Sequence, residues 1–175
     1  LKNLYLLRHA KSSWDNPNMP DHDRPLAHRG ERAGAAMTAT VAALSPRPDL
    51  VACSTAARAR GTLDLVRSGL PDDVPVRLDP VLYTFDMPPL CLHLEGLGDD
   101  ITSVLVIGHN PALELLARTV AAADTGEFME RLRGKFPTAA LAELELPIGA
   151  WADLGDALDR GNARLRRFTR PADLA

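Results

Sequence analysis

The chain alternates short apolar runs with stretches of helical periodicity. Leu4-Tyr5-Leu6-Leu7 is wholly apolar and stops at Arg8-His9-Ala10-Lys11, the pattern of a buried strand bounded by charge. A polar loop carrying Pro17, Pro20 and Pro25 follows, from Ser12 to Arg29. Gly30–Leu44 then reads as one helix, because Ala33, Met37, Val41 and Leu44 recur at helical spacing. Ser45-Pro46-Arg47-Pro48 ends it, since proline cannot continue a helix. Leu50–Cys53 predicts a second buried strand, with Ser54 and Thr55 as cap residues for a helix running to about Leu70. Val76–Leu78 is a weaker third strand, followed by a short helix over Pro89–Leu97. Ser103–Ile107 is β-branched and apolar, the strongest strand signal in the chain. It ends in Gly108-His109-Asn110-Pro111, where Asn as cap and Pro at the first position predict a helix through Ala123. Ala139–Leu146 and Arg164–Phe168 complete the strands, the second read as an edge whose arginines face solvent.

Strands alternating with helices predict an α/β fold: a three-layer α/β/α sandwich around a mostly parallel central sheet. The 175 residues fit a single domain, 1–175. With 46% apolar and 25% charged residues the composition is that of a soluble globular protein, and the net charge of −3 provides no broad basic field for nucleic acid. Leu1–Leu7 is too short for a secretory signal, and no run reaches the ~18 apolar residues of a membrane span. Cys53 and Cys91 lack the spacing of a zinc or thioredoxin motif. These features read as a cytoplasmic, reduced setting, with neither nucleic acid nor membrane as partner.

Chemistry gathers at three strand-to-loop junctions. The first carries Arg8 and His9, the second Arg58, and the third His109. Ligands of parallel α/β sheets bind beyond the carboxyl ends of the strands, so these side chains are expected on one edge. Two of them also sit at helix N-termini, where free N–H groups favour an anion. Arginine forks suit phosphate oxygens, and a neutral imidazole can attack phosphorus. Singly, Arg58 could be an exposed helix arginine and His109 an ordinary turn residue. Their occurrence at equivalent junctions argues for a phosphate pocket.

Leu7-Arg8-His9-Ala10-Lys11-Ser12 resembles the Arg-His-Gly signature of the histidine phosphatase superfamily, which has a phosphoglycerate mutase-like fold. Ser54–Thr62, containing Arg58, looks like its second-arginine motif, and Gly108-His109-Asn110-Pro111 like its second-histidine motif. Arg-His-Ala-Lys-Ser together with Asp23-Arg24-Pro25-Leu26 is most similar to the SixA-like branch of phosphohistidine phosphatases. The resemblance implies that His9 is the nucleophile of a two-step phosphoryl transfer. Arg8, Arg58 and His109 (the last best when protonated) would hold the equatorial oxygens, with Lys11 and Arg24 as further substrate contacts and no metal or other cofactor. The implied partner is a phosphohistidine-bearing protein or a small phosphorylated substrate.

One part of the family pattern is missing. The Glu that commonly serves as proton donor after the third strand has no counterpart in Val81-Leu82-Tyr83-Thr84-Phe85, and Asp86 is the nearest carboxylate. An alkoxide leaves poorly without an acid, whereas an imidazole can be protonated before its P–N bond breaks. The gap therefore favours a phosphoramidate over a phosphomonoester. The short segment between Leu78 and Ile101 leaves little room for a lid. Arg24 has a second reading, as the ion-pair partner of Asp21 or Asp23.

Other readings stay open on sequence alone. Cys53-Ser-Thr-Ala-Ala-Arg58 is one residue short of the Cys-x5-Arg loop of cysteine phosphatases. His22 between Asp21 and Asp23 could bind a cation. A phosphomonoesterase of the same superfamily, or a phosphate-binding module without catalysis, also fits.

Overall fold

The computed structural model describes residues 1–175. Strand β1 (Lys2–Arg8) lies inside a six-stranded sheet with β2 (Leu50–Ser54), β3 (Val76–Asp79), β4 (Ser103–Gly108), β5 (Leu141–Leu146) and β6 (Arg164–Thr169), in the order β3-β2-β4-β1-β5-β6. β1 to β4 run parallel, and β5 is antiparallel to both its neighbours. The sheet is thus mixed and mostly parallel, with helices on both faces, as the strand–helix alternation predicts.

Alternation along β1 builds the two cores. Leu4 and Leu6 point to one face and join 32 buried residues, whereas Tyr5 and Leu7 point to the other and join 18. Helices α1 (His28–Ala36), α2 (Thr38–Ala42) and α3 (Ala57–Val66) cover the smaller core. Helices α4 (Met87–Glu95), α5 (Ala112–Val120), α6 (Glu127–Gly134) and α7 (Leu154–Arg160) cover the larger one. Burial on both faces explains why β1, β2 and β4 read as continuous apolar runs.

The structure corrects several boundaries. The expected Gly30–Leu44 helix is two helices that meet at Met37, although Met37, Val41 and Leu44 are buried as their spacing predicts. α3 begins after Ala56 rather than at Ser54, and α5 after Pro111 rather than at Asn110. Asn110 still serves the helix start: its Oδ1 accepts from the Glu114 N–H at 3.2 Å. α6 and α7 are additional elements. Each shows little of itself in sequence because it is short and buries only two residues, Met129 with Leu132 and Leu154 with Ala157.

The polar loop is tied down at its base. Ser12 bridges Leu26, the Ala27 N–H donates to the Lys11 carbonyl (2.9 Å), and the Ser13 N–H donates to that of Pro25 (2.8 Å). Gly30 permits this closure, since a Cβ there would collide with the Lys11 backbone. The loop then reaches a single 3-10 turn, Asp21–Asp23.

Candidate active site

Sheet register brings the two histidines together. Arg8 pairs with Gly108, so His9 and His109 each stand one residue beyond a matched pair. The His9 N–H donates to the Gly108 carbonyl at 3.0 Å, and the ring centroids lie 5.1 Å apart. Cys53 pairs with Ile107, which sets Ser54 beside the same end of β4. The Ser54 Oγ lies 2.7 Å from His109 Nε2. Arg58, in the first turn of α3, completes the group. His9, Arg58 and His109 are all buried, and Arg8 is half-buried.

His9 Nδ1 lies 2.7 Å from the Ala10 carbonyl, which can only accept; Nδ1 therefore carries the ring proton, and Nε2 keeps the lone pair. The Ala10 N–H is fixed in turn by Thr62 Oγ1 (2.9 Å), which donates to the Arg58 carbonyl (2.8 Å). One hydroxyl thus couples the loop that carries His9 to α3. On the far side, the Ala139 N–H reaches the carbonyls of both Arg8 and His9 (3.0 and 3.1 Å). Ala139 does so at a φ of 62°, a left-handed conformation that a side chain disfavours.

Burial lowers the pKa of His9 to about 4, with Arg58 and Arg8 adding to the effect against the Ala10 hydrogen bond. Burial also lowers that of His109, to about 3, aided by His9 and Arg58. Both imidazoles are neutral near pH 7. The expectation that His109 serves best when protonated concerns the site with a dianion bound, whose charge would oppose this lowering. Ser54 Oγ accepts from the Ala56 N–H (3.2 Å) and can still donate its own hydrogen to His109 Nε2. That arrangement favours a proton on Nδ1, a buried atom with no partner in the protein. A neutral His109 can therefore donate to an anion. Arg8 shows the same feature: Nη1 donates to the Phe136 carbonyl (2.9 Å), while Nε is buried and unpartnered.

Asp21 reaches into this group from the polar loop. Its Oδ2 accepts from Arg58 Nη2 (2.9 Å) and from the Tyr83 hydroxyl (2.6 Å), and its carbonyl accepts from Arg58 Nη1 (2.8 Å). Its Oδ1 accepts from Arg24 Nη1 at 3.0 Å. Burial raises the Asp21 pKa, but the hydrogen bonds of Tyr83, Arg58 and Arg24 and the Arg58 charge outweigh it and hold the group at about 2. Asp21 is accordingly an anion at neutral pH and no proton donor.

Of the further contacts expected from sequence, Arg24 is committed within the loop. It pairs with Asp21, donates to Ser12 Oγ and the Ser13 carbonyl, and stacks on Trp14. Lys11 is exposed and lines a cleft beside Arg8. Asp86 is exposed at the N-cap of α4, and its backbone alone bonds, to Thr84. Tyr83 and Phe85, from the segment expected to hold an acid, set their rings 5.4 and 5.5 Å from His109. The roles of Ser54, Thr62, Tyr83 and Asp21 were hidden because each depends on a neighbour from a distant segment.

Two sequence alternatives meet opposing geometry. Cys53 is fully buried in β2, donates to the Ser54 carbonyl, and has its pKa pushed up to about 12 by burial, so it is no thiolate nucleophile. His22 Nδ1 lies 3.5 Å from Asp23 Oδ1, but Nε2 lies 2.8 Å from Thr55 Oγ1 and the Asp21 carboxylate is taken up by Arg58, Tyr83 and Arg24, so the three side chains do not gather into one cation site.

Residues 4–90 match the family model of the histidine phosphatase superfamily (branch 1). An uncharacterized protein of Mycobacterium tuberculosis is 38% identical over 151 residues, covering 85% of this chain and 91% of that one. The chain belongs to the histidine phosphatase superfamily. An uncharacterized Mycobacterium leprae protein is 34% identical over 152 residues, with 85% and 91% covered. Among solved structures, a candidate phosphohistidine phosphatase SixA from Nakamurella multipartitia superposes with a TM-score of 0.78 at 30% identity, over 97% of this chain and 96% of that one. A corresponding SixA candidate from Agrobacterium tumefaciens gives 0.76 at 28% identity, over 97% and 98%. The protein histidine phosphatase SixA complexed with tungstate shares the fold, with a TM-score of 0.74 at 23% identity over 99% of each chain. No helix of this member is long and apolar enough to cross a membrane.

Proposed function

We propose that the protein is a phosphatase that passes a phosphoryl group through His9 and acts on phosphohistidine carried by a protein. The observation that carries this reading is the tautomer of His9: Nδ1–H is tied to the Ala10 carbonyl, so Nε2 presents a lone pair among Arg8, Arg58 and His109. In the first step the Nε2 lone pair forms a bond to phosphorus as the P–N bond to the substrate imidazole breaks. The departing nitrogen takes the electron pair, and protonation of the substrate ring at its other nitrogen makes it a neutral leaving group. The Ala10 carbonyl supports the positive charge that grows on His9. In the second step water adds to phosphorus, His9 departs with its bonding pair, and the phosphate product carries off the water's proton. Arg8 Nε, the Arg58 N–H groups that Asp21 leaves free and His109 Nδ1 serve as the donors that oppose charge on the equatorial oxygens.

The choice of a P–N bond is supported by the lack of a working acid. Asp21 is the carboxylate at hand, and it stays ionised down to about pH 2. General acid catalysis supplies about 10²–10⁴-fold for a poor leaving group, and an ester substrate would forgo it here.

The test is to expose the protein to a phosphohistidine-bearing protein and, separately, to small phosphomonoesters. Faster turnover of the phosphohistidine protein is expected, with an acid-labile, base-stable phosphate trapped on His9 and absent from His9→Ala. Preference for the esters would reassign it as a phosphomonoesterase. Phosphate binding without any phosphoenzyme would make it a binding module.

A further inference from the structure

Beside the phosphoryl site lies a second feature, which shares only Arg8 with the proposed reaction. A cleft of ≈ 560 Å³ opens next to Arg8 and is lined by Arg8, Lys11, Arg29, Lys135, Thr138 and Arg170, with alanine and proline completing the walls and no carboxylate. The five cations come from separate places: the end of β1 and the loop after it, the first turn of α1, the residue after α6, and the residue after β6. Of the five, Arg170 alone has an ion pair, with Asp173 at 2.7 Å. Lys11, Arg29 and Lys135 are exposed and unpaired. Like charges brought together repel, and a chain of net charge −3 has ample carboxylates that could have neutralised them.

We infer that this cleft is a docking subsite for acidic side chains flanking the phosphohistidine of a protein substrate. The inference rests on the reading above and adds the chemistry of the substrate's surroundings. Arg8 belongs to both places, so a chain with its phosphoryl group at His9 passes directly into the cleft. Long, exposed lysine and arginine side chains on different elements suit several dispersed carboxylates better than one compact anion, which wants a fixed cage of donors. The walls carry no aromatic ring on which a nucleobase could stack. Complementary charge across such a surface mainly speeds encounter and selects partners.

A labelled oligoglutamate peptide tests the subsite independently of turnover. It should bind the full-length protein, weaken as salt rises past about 0.1 M, and bind about tenfold more weakly to Arg29→Glu/Lys135→Glu, with Arg29→Gln/Lys135→Gln in between. Phosphohistidine peptides with acidic flanks should show a matching loss of kcat/KM in the same variants, while free phosphoramidate, which stops at the phosphoryl site, should not. Oligoglutamate binding that is absent, or equal in all variants, overturns the subsite even if phosphohistidine is hydrolysed. Tight, variant-sensitive binding of inorganic pyrophosphate in place of the peptide would overturn it in favour of a small polyanion. Peptide binding without any phosphohistidine turnover would leave the charge selectivity standing and sink the proposed reaction instead.

Discussion

The carboxylate of Asp21 sits 2.9 Å from Arg58 Nη2 and holds a guanidinium whose side chain is only 4% exposed. Asp21 itself is 44% exposed, so solvent screens its charge in part. Its effect is to fix the Arg58 fork, with Tyr83 and Arg24 held on the same carboxylate.

Asp21→Asn is therefore expected to lower kcat/KM for a phosphohistidine substrate by about tenfold, the scale of one weakened charged hydrogen bond. Tyr83→Phe should cost less, and the two changes should be less than additive because they share one carboxylate. Steady-state kinetics on the two single variants and the double variant check this. An additive pair would show that Tyr83 and Asp21 act separately.

Two neutral histidines set the pH response. Because burial lowers the His9 pKa to about 4, its neutral form, the one the proposed attack needs, persists well below the ordinary histidine value of 6.5. After correction for substrate ionisation, kcat/KM should stay level from neutral pH down to about 5 and then fall. The same shift has a consequence for folding. The unfolded chain binds a proton at 6.5 that the folded chain resists, so stability is complete above that value and declines as pH falls toward 4 for His9 and 3 for His109. Thermal denaturation across pH 7 to 3 should show this decline, and His109→Gln should lessen it.

Ser54 is expected to matter through His109. Ser54→Ala removes the hydroxyl 2.7 Å from His109 Nε2 and frees the ring to take the other tautomer. A drop of about tenfold in kcat/KM is expected, equivalent to roughly 1.4 kcal/mol. Ser54→Thr, which restores a hydroxyl, should recover more activity than alanine. Equal activity in both variants would show that the contact is structural alone.

Cys53→Ser separates the histidine from the thiol chemistry. The side chain is fully buried, so the added hydroxyl should cost roughly 1–3 kcal/mol of stability. Activity per folded molecule should stay within about twofold of the parent. Loss of the phosphoenzyme in Cys53→Ser, with folding intact, would overturn His9 as nucleophile.

The sequence by itself determined the strands and the chemistry at their ends. Leu4–Leu7, Leu50–Cys53 and Val104–Ile107 are apolar without interruption because both faces of β1, β2 and β4 are covered, and Arg8, His9 and His109 mark where the apolar run gives way to chemistry. Local pattern could not set the order of strands. β4 lies between β2 and β1, so the three junctions are neighbours, and only sheet pairing decides that. The direction of β5 and the break at Met37 were likewise settled by packing. The same limit holds at the site. Ser54 meets His109 across 55 positions, Tyr83 meets Asp21 across 62, and Lys135 joins Arg8 in one cleft, none at a spacing that periodicity can register. Sequence pattern records how each segment meets solvent or core; which segments meet one another depends on the long-range pairing that only the folded chain supplies.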